Sequence, residues 1–227
     1  MLESNMLSKE FIFESSGVRP GISKILTQKG YTFLGKGQDM HAWLEPNTGL
    51  ILKIFGAQNE APGKLTRAQQ SFKDFADYCQ ANPDNPFLPQ FYGWETFQFE
   101  DETYLQIRIE RLFSLGSQGL QGWGYSLEAM SEAADANPTE QGKANFVRNY
   151  VPETLPDGET DNIGDGSVEM LELLTHLGEE GFNTLWKTLC DLVMIGRKKR
   201  YILDLHDKNF MVGNDGHIVI SDPFYVP

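Results

Sequence analysis

The 227 residues contain two cysteines and four histidines. Cys79 and Cys190 lie far apart, each on an apolar stretch with helical spacing, so they read as reduced core thiols and not as a disulfide or a metal site. His41, His176 and His217 have no ligand-like spacing. Basic residues are also in deficit: 19 Lys plus Arg stand against 32 Asp plus Glu, a formal charge of −13. A polyanion would be repelled by that surface, so no direct nucleic-acid partner is expected. No apolar run approaches the roughly 18 residues of a membrane span. The opening MLESNMLSKEF carries acids where an export signal carries bases and a hydrophobic stretch. The chain therefore reads as soluble, unexported and cytoplasmic, with no membrane partner. Neither an internal repeat nor a low-complexity block is found.

What is present is a chain that can bury a core: 40% of residues are apolar and 12% aromatic. One compact unit of two lobes, or one domain, is expected. YTFLGKGQ, MHAWLE and LILKIF alternate and are rich in β-formers, which predicts three strands from Tyr31 onward. Leu65 to Gln80 predicts a helix with Phe72, Phe75, Ala76 and Cys79 on its apolar side, stopped by Asn82-Pro83-Asp84-Asn85-Pro86. QFYGWETFQF and TYLQIRIERLF, separated by Glu100-Asp101-Glu102, predict a hairpin. From Gly116 to Gly166 small and polar residues dominate, and a mostly polar insertion is expected, with a short helix near Ser126 to Ala134. Val168 to His176 and Glu179 to Ile195 predict two further helices, and Arg197-Lys198-Lys199-Arg200 places cations at the negative end of the second.

The last quarter of the chain reads YILDLHDKNFMVGNDGHIVISDP. Phe210, Met211 and Val212 predict a short strand, Asn214, Asp215 and Gly216 a tight turn, and Ile218 to Ile220 the antiparallel partner. Such a hairpin brings Asp204, Asn209 and Asp222 to one edge. Phosphoryl transfer on a kinase fold uses these side-chain types in this order: a carboxylate that orients the acceptor hydroxyl, then an amide and a second carboxylate that hold magnesium against the phosphates. Oxygen donors suit that hard cation. The alternative for each residue is a turn-capping role, and His206 between them is either a structural hydrogen-bonding group, which is the expectation, or a metal-adjacent donor. Upstream, Gly35-Lys36-Gly37 sits between two predicted strands, where glycine lets backbone amides approach a phosphate; a plain turn is the alternative. Lys53 lies mid-strand in LILKIF, either facing solvent or reaching the α- and β-phosphates of a nucleotide.

With these residues in hand, YTFLGKGQDMHAWLEPNTGLILKIF and LDLHDKNFMVGNDGHIVISDPF resemble the protein-kinase-like fold, and more narrowly the early protein kinase of T-seven-group bacteriophages. The second stretch is also similar to aminoglycoside and choline kinase-like enzymes, which share an Asp-Leu-His-x-x-Asn pattern. The resemblance implies an α+β fold. A β-rich N-lobe with one helix would span 1–113. A reduced, mainly helical C-lobe would span 114–227, with the polar insertion at about 116–166 and a catalytic loop at 202–222, ending soon after Asp222. It implies that Gly35, Gly37 and Lys53 contact ATP, that Glu110 to Phe113, including Leu112, form the hinge that receives adenine, that Asp204 is catalytic, and that Asn209 and Asp222 bind magnesium. The implied activity is ATP- and Mg2+-dependent transfer of the γ-phosphoryl group to serine or threonine of host proteins, by a phage host-takeover factor in the host cytoplasm.

The pattern departs from common protein kinases in several places. There are two loop glycines and not three, Ile202 stands where a His is usual, His206 stands where a Lys is usual, and Asp222-Pro223-Phe224 replaces Asp-Phe-Gly. The Leu65 to Gln80 helix has no Glu, so Gln69, Asp74 and Glu60 are the candidates to face Lys53. Five residues follow Asp222, which leaves no activation segment or substrate-docking helices after it. Two other readings stay open: a catalytically weak pseudokinase that binds or inhibits a partner, and a small-molecule phosphotransferase.

Overall fold

The structure is a computed structural model that describes residues 18–37, 40–56, 64–150 and 165–226. The chain divides into two compact units, one made of Met1–Pro83 and Gln90–Arg111, the other of Asp84–Pro89 and Leu112–Pro227. Leu112, Phe113 and the short stretch after Pro83 thus group with the second unit. Among the described residues the fold is α+β, with an antiparallel five-stranded sheet and five helices.

The first unit opens with helix α1 (Pro20–Gln28), upstream of the strands expected from Tyr31 onward. Proline at its first position needs no N–H partner there, and Ile22, Ser23 and Leu26 supply a buried face. The helix stops because Gly30 takes φ 86°, letting Gly30 N–H reach Thr27 O and Tyr31 N–H reach Leu26 O. Strands β1 (Thr32–Lys36), β2 (Met40–Leu44), β3 (Ile51–Phe55), β4 (Phe91–Phe99) and β5 (Glu102–Ile109) form one antiparallel sheet in the order β1-β2-β3-β5-β4. Central strand β3 is buried at every position, and on one side Val18, Ile22, Leu26, Trp43, Leu52, Ile54 and Tyr104 make a core cluster.

Helix α2 (Arg67–Ala81) packs Phe72, Phe75, Ala76 and Cys79 inward. Its start is fixed by a capping box: Thr66 Oγ1 accepts Gln69 N–H, and Gln69 Oε1 accepts Thr66 N–H. The two hydrogens of the Gln69 amide nitrogen are shared among Phe55 O, Gly56 O and Thr103 O, so one buried side chain joins the helix start to two strands.

In the second unit a 3-10 turn (Leu115–Gln118) leads into α3 (Gln121–Ala136), α4 (Glu140–Tyr150) and α5 (Asp165–Lys199). Within the insertion expected over 116–166, the short helix expected near Ser126 to Ala134 is present as part of the longer α3, and α4 corrects the rest of the expectation up to Tyr150; residues 151–164 lie outside the described residues. Glycines, serines and glutamines hide the full length of α3, while Leu127, Met130 and Ala134 recur at i, i+3 and i+7 in its expected part and are all fully buried. They pack with α5, which carries Leu185, Trp186, Leu189, Leu192 and Val193 inward. Gly178 breaks α5 at φ 64°, ψ 179°, a conformation for which a glycine is suited, so the two expected helices are present as two segments. A small sheet β6-β8-β9 (Phe113–Ser114, Phe210–Val212, Ile218–Ile220) and a ribbon of β7 (Ile202–Leu203) with β10 (Phe224–Tyr225) complete the unit.

Candidate active site

The expected hairpin of β8 and β9 is present, pairing Phe210 with Ile220, Met211 with Val219 and Val212 with Ile218. Its turn closes through Gly213 N–H on His217 O and Gly216 N–H on Gly213 O, with Gly216 at φ 86°. Asn209 immediately precedes β8 and Ser221 immediately follows β9, so the ladder itself sets them opposite one another. Ser221 N–H donates to Asn209 O at 2.9 Å, and its hydroxyl reaches the same oxygen at 3.3 Å.

The other end of the loop is closed by the second ribbon, in which Leu203 pairs with Phe224 and Ile202 with Tyr225. Asp204 N–H donates to Pro223 O at 2.8 Å. Between the ribbons, residues Asp207–Asn209 form a 3-10 turn, and the Asn209 side-chain Nδ2 donates to Asp204 O at 2.5 Å. An amide whose nitrogen is held by a backbone carbonyl leaves its oxygen as the end for a cation. Asp204 and Asn209 thus lie on one chain segment and Asp222 on another, and the three hydrogen bonds made by Asp204 N–H and by the Ser221 N–H and hydroxyl join the two. Asp204 is half-exposed, and with Glu128, Ser131, Glu132, Asp135 and His206 it lines a recess of about 180 Å3.

Helix α3 backs this loop, a role that composition did not reveal. Ser131, 3% exposed, donates from Oγ to Leu205 O at 3.0 Å. A Cβ on Gly124 would lie 3.0 Å from Asp207 Cβ, so the absence of a side chain there lets the helix approach the turn. The signal available in the sequence was a serine within the apolar spacing of Leu127, Met130 and Ala134. His206 lies within hydrogen-bonding reach of its own loop, as the structural reading expects, with Nδ1 3.2 Å from Lys208 N and Nε2 3.3 Å from Asn209 Nδ2. At the end of α5, Arg197 donates to Asp135 O.

The remaining expected site residues lie in the first unit, apart from Leu112, which is half-buried in the second. Lys53 sits on β3 opposite Ala42 and Ile107. It is 7% exposed, with Nζ 4.7 Å from the centre of the Phe72 ring, which corrects the solvent-facing alternative. An ammonium beside a ring face gains from the ring quadrupole. Of its candidate partners, Gln69 has its amide engaged by backbone, Asp74 Oδ1 accepts from Gln70 Nε2 at 2.7 Å, and Glu60 lies outside the described residues. Glu110 is buried, with Oε1 accepting Gln90 N–H at 2.9 Å.

Gly35 lies beside a bulge in β1, and nothing stands within 4 Å of a Cβ built there; a Cβ on Gly37 would meet only Met40 at ordinary distance. Packing does not demand glycine at either position. Among the described residues no group of three or more His, Cys, Asp or Glu is placed to hold a metal, and no helix is long and apolar enough to cross a membrane. No family model matches the chain, and no curated protein matches it.

Proposed function

We propose that this chain is an ATP- and magnesium-dependent phosphotransferase of the protein-kinase type, acting on serine or threonine of host proteins in the host cytoplasm. The observation that carries the reading is the stitched loop pair, in which Asn209 Nδ2 is held by Asp204 O while Ser221 and Pro223 tie the segment around Asp222 to the same loop. The donor set fits magnesium: an amide oxygen from Asn209 and a carboxylate from Asp222 are hard oxygen ligands. Bound magnesium would supply charge neutralisation at the β- and γ-phosphates.

The chain's own residues take the other roles. Asp204 accepts the proton of the acceptor hydroxyl as that oxygen bonds to the γ-phosphorus, and the bond to the bridging oxygen breaks to release ADP. Lys53 contributes a cation for the α- and β-phosphates, and Gly35 and Gly37 leave β1 and the following turn open for backbone approach to phosphate. Glu110 and Leu112 are assigned to adenine.

The test is transfer from γ-labelled ATP with magnesium, to the protein itself and to a bacterial lysate. Asp204→Ala and Asp222→Ala are each expected to lower labelling by about 10²–10⁴-fold, the range for loss of a positioned acid–base or charge-stabilising group. Full activity in Asp222→Ala would remove the site assignment. ATP binding without transfer in the unaltered protein would favour a binding role instead, and transfer to hydroxylated metabolites alone would favour a small-molecule enzyme.

A further inference from the structure

We propose that His206 is a positioning residue that, through a lone pair on Nε2, holds the second hydrogen of the Asn209 amide and so fixes Asn209 for cation binding; the proposal rests on the phosphotransferase reading above. Asn209 Nδ2 lies 2.5 Å from Asp204 O and 3.3 Å from His206 Nε2. An amide nitrogen has two hydrogens, and these two neighbours are both capable of accepting. One such bond sets which end of the amide is nitrogen. A second removes the remaining swing of the group, so that the oxygen is presented in one direction.

The ring has a choice to make. Lys208 N lies 3.2 Å from Nδ1, and the carboxylates of Asp207 and Asp204 lie 3.5 Å from Nδ1 and 3.9 Å from Nε2. A neutral imidazole has one lone pair and one N–H, so the Lys208 and Asn209 donors compete for the lone pair. With the lone pair on Nδ1 the ring caps the 3-10 turn, but its Nε2–H faces the Asn209 amide hydrogens and its carboxylate is the farther one. With the lone pair on Nε2 the amide is held and Nδ1–H meets the nearer carboxylate, that of Asp207. Lys208 is exposed, so water can take the place of Nδ1 at its N–H, whereas Asn209 is half-buried. The second arrangement leaves less unsatisfied.

Side-chain length separates the two roles. In place of histidine, glutamine carries an acceptor near the Nε2 position and asparagine carries one near Nδ1. His206→Gln should keep the hold on Asn209, His206→Asn should keep only the turn cap, and His206→Ala should keep neither. The first readout is the Asn209 side-chain amide pair in the 15N–1H spectrum of the nucleotide-free protein, assigned by its loss in Asn209→Asp. The second is the Mn2+ concentration that supports binding of a non-hydrolysable ATP analogue. His206→Gln is expected to leave the amide pair in place and the Mn2+ requirement near that of the unaltered protein. His206→Asn and His206→Ala should shift the pair and raise the requirement about 10-fold or more, as loss of an outer-sphere partner does.

An Asn variant that matches the unaltered protein while the Gln variant matches Ala would overturn the proposal in favour of the cap. If the unaltered protein shows no Mn2+-dependent nucleotide binding, the phosphotransferase reading falls, and the amide spectrum alone judges His206: an Asn209 pair unmoved in His206→Ala overturns its positioning role.

Discussion

Gln69 shows how much one buried side chain can hold. Its oxygen closes the capping box and its nitrogen faces three backbone carbonyls while the residue is 1% exposed. Gln69→Ala is expected to cost about 2–4 kcal/mol, a lost cap plus unsatisfied buried carbonyls, read from urea denaturation. Gln69→Glu should be at least as damaging at neutral pH, because a carboxylate would turn oxygen toward three carbonyl oxygens. His41 sets a different dependence. Burial, with the Lys36 cation adding to it, holds its pKa down at about 4 against the ordinary 6.5. The folded chain refuses a proton that the unfolded chain takes, so this contribution is intact above about pH 6.5 and falls by about 1.4 kcal/mol per pH unit down to about pH 4. Urea midpoints at pH 7.5 and 5 should show the loss, and His41→Phe should flatten it.

Helix α4 begins under a tight constraint, since a Cβ on Gly142 would lie 1.9 Å from Asn137 O. The backbone must move to admit it, so Gly142→Ala is expected to destabilise by about 1–3 kcal/mol although alanine favours helices, and circular dichroism during thermal melting would report it. The strands of the sheet and the β8–β9 hairpin were legible because alternation and turn residues act locally, within a few positions of one another. Asp204, Asn209 and Asp222 could be named for the same reason: Asn-Asp-Gly fixes the turn, and the turn fixes which residues face each other. The α3 helix was legible only over its middle, near Ser126 to Ala134, and α4 was obscured by sparse apolar positions; in α3 a glycine and a serine are the residues that touch the 204–209 segment. For Lys53 the sequence leaves a solvent face and a phosphate contact both open, and the burial of central strand β3 at every position, which no local pattern reveals, removes the first.

The whole chain carries a charge of −13, and its ion pairs are mostly exposed, such as Lys187 with Asp191 and Arg197 with Asp135. Pairs of that kind contribute little, about 0–1 kcal/mol each, and salt weakens them. Self-repulsion among the excess acids is screened by the same salt. Repulsion outweighs attraction here, so the urea midpoint should rise between low salt and about 0.3 M NaCl, where the Debye length has fallen below 10 Å; a fall would show that the exposed pairs matter more than the net charge. The two ribbons that close on the 204–209 loop also impose a timetable. A polypeptide leaves the ribosome from its N-terminus. Helices α3 and α5 therefore emerge first, the loop follows them, and the backbone of Ser221, Pro223 and Phe224 that seals it arrives last. Until that returning strand is out, a nascent chain holds the helices that support the loop and none of the bonds that shut it, so the loop acquires its shape in the closing moments of synthesis of this stretch.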